Sequence, residues 1–420
     1  MPAILQFTLI ALAVLALLGV ILEDIIHVNK AKVTLFLGTL SWVILFIYHS
    51  QGSAEHSDLV TLGFAENIAE IASLWLFLVS AMTFVAYLNK KGLIENVIYL
   101  LLPQKITERR LLFLTAIFCF VFSSLADNIT ATLVSVTLIL SLRLDTKKTI
   151  RFATLVVFAV NSGGVALITG DVTTLMIFLA GKVGIIDLLM LSLPAFITVI
   201  LLATLLCRGM GNSVEINNQR AEVRGVDVAI GIIFLLTILL TIVGNVLFAI
   251  PPVLTFLMGM SIMFLVARFF NEDIEEDPIL EYIRNIEFET LLFFLGILLL
   301  VGMLKEISVL DSLVQMYQVL PPYIANFIMG VLSSAIDNVP LTAALLKAGI
   351  VMSPAEWLGL TYAVGVGGSL LVIGSAAGIV AMSKVQGLTF ASYARYSLVL
   401  LFVYSVGYLM VMYLSQIMLN

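Results

Sequence analysis

Two short polar phrases interrupt apolar sequence, and both carry groups able to hold a cation. Ser123-Ser124-Leu125-Ala126-Asp127-Asn128-Ile129-Thr130 returns 210 positions later as Ser333-Ser334-Ala335-Ile336-Asp337-Asn338-Val339-Pro340. Each copy sets a carboxylate, an amide and hydroxyls in the middle of a hydrophobic run. A carboxylate at bilayer depth costs about 2.5–3.5 kcal/mol on insertion scales, so each copy is a functional candidate by default. Hard cations such as sodium take carboxylate, carbonyl and hydroxyl oxygens, as hard divalent ions do. A carboxylate removed from water also favours its protonated form, so it can take a proton when the metal ion leaves. A site that holds either a cation or protons, but not both, is the minimal chemistry of antiport.

The candidate ligands at the first phrase are Ser123, Ser124, Asp127, Asn128 and Thr130; at the second they are Ser333, Ser334, Asp337, Asn338 and Thr342. A third acid lies in Thr169-Gly170-Asp171-Val172-Thr173-Thr174. Its counterpart, Gly367-Gly368-Ser369 followed by Gly374-Ser375-Ala376-Ala377-Gly378, has none. Thr169, Asp171, Thr173, Ser369 and Ser375 therefore join the candidate set. A structural reading competes, because Asp and Asn are good helix N-caps. Capping accounts for one copy but gives no reason to place a carboxylate twice at membrane depth. The glycines equally suit close helix packing, and helix starts at such breaks present positive dipole ends that favour an anion. Spacing alone leaves cation and anion both open at the breaks.

The elements that position these residues are membrane helices. The 420-residue chain is 61% hydrophobic and 11% charged, with a mean hydropathy of +1.14. Soluble domains carry about 25% charged residues, so the solvent of this chain is lipid. A net charge of -6 without a polybasic tract argues against nucleic acid as a partner. Cys119 and Cys207 lack metal-ligand spacing and read as structural; His27, His49 and His56 lie in or beside loops, and no cofactor is implied. The apolar stretch from Pro2 to Val20 has no positive residue before it and no cleavage-type ending, so it reads as the first membrane helix, not a signal peptide.

About 20 apolar residues cross the hydrocarbon core. Ten segments meet that length: 4–22, 31–48, 71–89, 149–182, 185–206, 228–250, 252–270, 287–304, 355–383 and 393–417. The fourth and ninth are overlong and interrupted by glycine-rich polar stretches, so they read as broken helices. Segments 109–142 and 321–350 each hold two short apolar arms joined at the Asp-Asn phrase. Charge decides how the first of them runs. Lys90, Lys91, Lys105, Arg109 and Arg110 precede it, and Arg143, Lys147, Lys148 and Arg151 follow it. A re-entrant hairpin leaves all nine cations on one face, which the positive-inside rule makes cytoplasmic. Both termini and the acidic loop 49–70 then lie outside, with loop 271–286 inside. Glu66 and Glu70 sit at the outer end of the third crossing, and Glu287 and Glu289 at the cytoplasmic start of the eighth.

The expected fold is an all-α polytopic membrane protein of about ten helices in two repeats of five, each with a hairpin and a broken helix. Five crossings per half is odd, so the second half is inverted and the two hairpin tips approach the midplane from opposite faces. The expected boundaries are 1–206 for the first repeat, 207–227 for a cytoplasmic linker and 228–420 for the second repeat.

The paired Ser-Ser-x-x-Asp-Asn phrases, Ile168-Thr169-Gly170-Asp171-Val172-Thr173-Thr174 and the Gly367–Gly378 break together resemble the NhaD-type sodium/proton antiporters of the ion transporter superfamily. That superfamily also holds arsenite permeases and dicarboxylate carriers. The resemblance covers the chain from about residue 60 onward. It implies a bacterial inner-membrane exchanger of Na⁺, often Li⁺, for H⁺, with a scaffold domain supporting a moving transport domain, and dimers are common there. Asp127 and Asp337 match the motif carboxylates, and Asp171 matches the acid of the glycine break. One departure is Ala81–Ala86, similar to a family stretch that ends in an acid where this chain has Ala86.

Two other functions compete. An anion carrier, for a dicarboxylate or an oxyanion such as arsenite, needs an acid-poor site that offers Asn-Thr or basic groups to the substrate, whereas three acids and no Arg lie near the midplane here. An intramembrane aspartyl protease shares a proton between two membrane Asp. Those enzymes resemble Tyr-Asp plus Gly-x-Gly-Asp, but Asp127 follows Ala126 and position 168 is Ile.

Overall fold

The computed structural model describes residues 2–21, 23, 28–50, 54–101, 103–142, 144–215, 222–269, 283 and 286–419. His27, Arg143, Arg220 and most of loop 271–286 lie outside the described residues, as do the side chains of Glu55 and His56. Eight helices among the described residues are long and apolar enough to cross a bilayer: Ala3–Val20, Lys30–Ser50, Asp58–Lys90, Ile185–Leu206, Gly225–Phe248, Pro252–Phe269, Phe288–Glu306 and Ser397–Leu419. The chain is an all-α, multi-pass membrane protein.

The first Asp-Asn segment folds back on itself. Its inward arm is Glu108–Leu125 and its return arm Asn128–Ser141. Cys119 Sγ donates to Ser135 Oγ at 3.1 Å, and these two residues stand equally far in sequence on either side of Asp127. A straight helix would hold them roughly 24 Å apart at 1.5 Å per residue. The turn is made by extended backbone at Ala126 and Asp127, and the Asp127 carboxylate caps the return arm through the Thr130 amide. The second Asp-Asn segment has helices Pro322–Leu332 and Asn338–Lys347, with a helix break between them. The glycine-rich segments break too. Thr146–Gly164 is followed by Val172–Leu179, and Pro354–Gly367 by Ala376–Lys384. At the solvent end of the first pair, Asp145 caps Thr146–Gly164, and the Lys148 amide holds its carboxyl below the usual carboxylate range.

Contacts divide the chain into two compact units, each drawing on both sequence halves. The first comprises Met1–Leu78, Glu287–Ala325 and Val339–Val351. Here Lys30–Ser50 packs along Phe288–Glu306, and the Trp42 indole donates to the Leu299 carbonyl at 2.8 Å. Lys347 pairs with Glu70. The second unit comprises Val79–Ile286, Asn326–Asn338 and Met352–Asn420. At its centre stand the first halves of the two broken pairs, buried on every side from Phe152 to Gly164 and from Trp357 to Gly367. A helix apolar all round belongs in a core, and these two end there.

Two expectations are corrected. Stretch 49–70 is not a loop throughout, because helix Ala54–Lys90 takes in its second part. Val60, Phe64, Asn67, Ile71 and Leu74 recur at helical spacing, and all but Phe64 are buried. The interspersed acids lower the average hydropathy without breaking that stripe. Segment 207–227 is also more than a connector. Ser213–Glu215 pairs antiparallel with Lys105–Thr107 at the base of the first hairpin, closed by a Lys105–Glu215 ion pair of 2.8 Å. Beside this ribbon Glu108, buried, receives Lys148 Nζ at 2.7 Å and the Asn212 amide at 3.4 Å.

The folded-back hairpin sets a labelling test. Single cysteines at Lys105 and Lys147, both exposed, should react with an impermeant thiol reagent from the same side of the membrane. The buried native thiols should stay silent. Labelling from opposite sides would contradict a re-entrant hairpin.

Candidate functional site

Within the second unit, the hairpin phrases and the helix breaks meet. Ser123 sits at the inner end of the inward arm, with its hydroxyl 2.8 Å from both Asn128 Oδ1 and the Val160 carbonyl. Ser333 repeats the second contact, donating to the Val364 carbonyl at 2.8 Å. The glycines show why the chains come this close. A Cβ at Gly163 would strike the Phe120 carbonyl, and one at Gly367 the Gly330 carbonyl. The helix leading into each Asp-Asn phrase thus lies against its own broken pair through equivalent positions. Hydroxyl bonds and a missing side chain make the two contacts alike.

Hydrogen bonds then connect the two sequence halves. Asn128 Nδ2 reaches Asn161 Oδ1 at 3.4 Å, and Asn161 Nδ2 donates to Ser375 Oγ at 2.9 Å. Ser375 caps Ala376–Lys384 by accepting from the Gly378 amide. In the opposite direction, Asn338 Nδ2 donates to Asp171 Oδ2 at 3.3 Å. Asp171 Oδ1 accepts the Thr173 amide at 3.1 Å and so caps Val172–Leu179. Asp171 is buried, and both the Asn128 amide and the Asp337 carboxylate are near enough to act on it.

One hydroxyl of the same unit, Ser162 Oγ, is fully buried and without a hydrogen-bond partner among the described residues, whereas the Thr173 side chain lies against the Asp171 carboxylate. Leaving a buried polar group unpaired costs about 1–3 kcal/mol. Such an atom calls for a partner, which an ordered water or a bound ligand can supply. Backbone already occupies several of the other candidates. Asp127 is half-buried, and both its oxygens bond Thr130, at 2.9 Å to the amide and 2.7 Å to the hydroxyl. Ser124, Ser334 and Ser369 donate to carbonyls of their own helices. Thr169 donates to the Ser124 carbonyl at 2.7 Å. Thr342 belongs to the first unit, where its hydroxyl is buried without a partner among the described residues.

Sequence reasoning put neither Asn161 nor Ser162 in the site, although both stand just before Gly163 and Gly164 at the end of the first half of the broken pair. The available signal was a polar pair closing the apolar run 155–160. Tyr393 was missed as well; its hydroxyl donates to the Ser369 carbonyl at 2.5 Å and holds the second break.

Residues 3–365 match the CitMHS family, described as a citrate transporter family. The chain belongs to the CitMHS family. It is 30% identical to the Na(+)/H(+) antiporter NhaD of Alkalimonas amylolytica, over 91% of this chain and 84% of that one. It is 29% identical to NhaD of Vibrio cholerae, over 92% of this chain and 87% of that one. Identity to sodium/proton antiporter 1 of Arabidopsis thaliana is 28%, over 90% of this chain and 69% of that one. The likeness to NhaD expected from the paired phrases therefore extends along nearly the whole chain. This CitMHS-family protein is a membrane transporter and not an enzyme.

The close approaches at the breaks carry a stability prediction. Overpacking a tight contact costs about 1–3 kcal/mol, so Gly163→Ala and Gly367→Ala should each lower the thermal midpoint of the purified protein. Gly225→Ala, where a Cβ meets open space, should not. Equal midpoints for all three would contradict the packing described.

Proposed function

We propose that this chain exchanges Na⁺ for H⁺ across the bacterial cytoplasmic membrane by alternating access. The observation that carries the reading is the buried Asp171, bonded by Asn338, in a unit that also leaves the Ser162 hydroxyl unpaired among the described residues. Asp127 and Asp337 supply the paired carboxylates of the two hairpin phrases. Asn128, Asn338, Ser123, Ser333, Thr130, Thr169, Thr173 and Ser375 shape or line the site; Ser124, Ser334, Ser369 and Thr342 complete the proposed set. Sodium, and lithium as a smaller ion of the same charge, would bind the ionised carboxylates. A proton on those oxygens removes both the charge and an acceptor, so the two cargoes exclude one another. Transport by two inverted repeats, 1–206 and 228–420, with both termini outside, belongs to the same proposal, as does assembly as a homodimer.

A citrate or dicarboxylate carrier is the competing reading, favoured by the family's description. The site argues against it. No Arg or Lys is bonded to Asp171, Asn161, Asn338 or Ser375 among the described residues, and an anion would meet carboxylates. Vesicles containing the purified protein and an imposed pH gradient separate the two. Added Na⁺ or Li⁺ should dissipate the gradient, while K⁺, citrate and succinate should not. A response to citrate alone would favour the anion carrier.

Two expected outcomes follow from the carboxylates. Asp127→Asn, Asp171→Asn and Asp337→Asn preserve shape, so each should abolish Na⁺-dependent proton movement while the protein stays folded. Ser162→Ala should keep exchange and raise the half-saturating Na⁺ concentration. Near-normal exchange by all three Asn variants would reduce these residues to helix caps. The second outcome concerns pH. Protons compete for the ionised form, so apparent Na⁺ affinity should improve as pH rises and flatten once the carboxylates are ionised. A half-saturating concentration that does not change with pH would contradict a shared site.

A further inference from the structure

A groove of ≈ 490 Å³ in the second unit is lined by Arg151 and Arg208, by Tyr396, and by the apolar side chains Leu205, Leu398 and Phe402 among others. It forms where three helices have their ends. Arg151 lies in the second turn of Thr146–Gly164, Ser192–Leu206 finishes beside it, and Ser397–Leu419 begins there. Two of these belong to bilayer-length spans, so the groove lies at the boundary between headgroups and hydrocarbon.

The charges at its mouth are gathered and uncompensated. Arg151 Nη1 donates to the Arg208 carbonyl at 2.7 Å, which fixes one guanidinium beside the residue that carries the other. Neither arginine forms an ion pair with a carboxylate among the described residues. A guanidinium has five N–H donors in a planar fork suited to phosphate, and only one bond to Arg151 is accounted for. Below the mouth the wall is apolar and open: Leu398 is 80% exposed and Phe402 56%. Tyr396 lines the same groove, and amphipathic rings are enriched at this depth in membrane proteins.

We propose that this groove binds an anionic phospholipid, its phosphate held by Arg151 and Arg208 and an acyl chain lying along Leu398 and Phe402. The two features select this occupant together. A zwitterionic headgroup brings a cation toward two guanidiniums, and a free phosphate leaves the apolar wall uncovered. The site serves stability or regulation in the bilayer and does not depend on which ion the protein transports.

The test is thermal unfolding of the purified protein in neutral detergent, with phosphatidylglycerol, cardiolipin, phosphatidylcholine or inorganic phosphate titrated in. The anionic lipids should raise the midpoint saturably, because a ligand that binds only the folded state stabilises it. Phosphatidylcholine and phosphate should not. The shift should be lost in Arg208→Gln, which retains the backbone carbonyl that holds Arg151 and so should unfold like the parent without lipid. Arg151→Gln provides the second variant, with lipid retained through purification read by native mass spectrometry. Less anionic lipid should remain on both variants than on the parent. An equal shift with phosphatidylcholine, an equal shift with phosphate alone, or an undiminished anionic-lipid effect in both variants would overturn the proposal.

Discussion

A helix that ends away from water leaves amides and carbonyls that lipid cannot satisfy. In the second unit of this chain three side chains take up that burden at the breaks. Asp127 accepts the Thr130 amide, Asp171 the Thr173 amide and Ser375 the Gly378 amide. The caps are then tied together across the two sequence halves, Asp171 by Asn338 and Ser375 by Asn161. The fully buried helices Phe152–Gly164 and Trp357–Gly367 follow from the same constraint, because a break in the interior must be walled by protein. So do Gly163 and Gly367, which let the hairpin backbones come against the places where those helices finish.

The caps are also what makes exchange chemically reasonable. A carboxylate that only capped a helix would serve as well with a neutral side chain, as Ser375 does at the equivalent position. Asp171 places an ionisable group there, with the Asn338 amide on its second oxygen. On the proposed reading, a proton or a sodium ion neutralises its charge, while the empty ionised site leaves it uncompensated in a medium where isolated charge is expensive. Loaded states are therefore the ones favoured for reorientation. That penalty on the empty state couples the two fluxes without any direct contact between Na⁺ and H⁺.

Much of this was legible in sequence. The duplicated Asp-Asn phrase stands out because acids are rare in apolar runs, and the broken crossings because their length exceeds one span. The fold-back of the first hairpin followed from nine flanking cations, and Cys119 beside Ser135 agrees with it. The rest was hidden for physical reasons. Lys105–Thr107 and Ser213–Glu215 are strands of three residues joined over a long separation, and no local periodicity marks so short a ribbon. The beginning of Ala54–Lys90 was obscured because Glu66 and Glu70 share its turns with a buried stripe. Asn161 and Ser162 close the apolar helical run 155–160, and only the folded backbone brings Asn161 to Ser375. Nor does sequence separate a carboxylate that caps from one that binds, since the same oxygen can do both.

The central claim is that sodium and protons displace one another from the same carboxylates. It is tested most directly by counting protons released when Na⁺ binds to the purified protein in weakly buffered detergent solution. Addition of Na⁺, but not of K⁺ at equal ionic strength, should acidify the solution saturably, and Asp171→Asn should release fewer protons. Sodium binding that proceeds with no proton release at any pH would contradict the account.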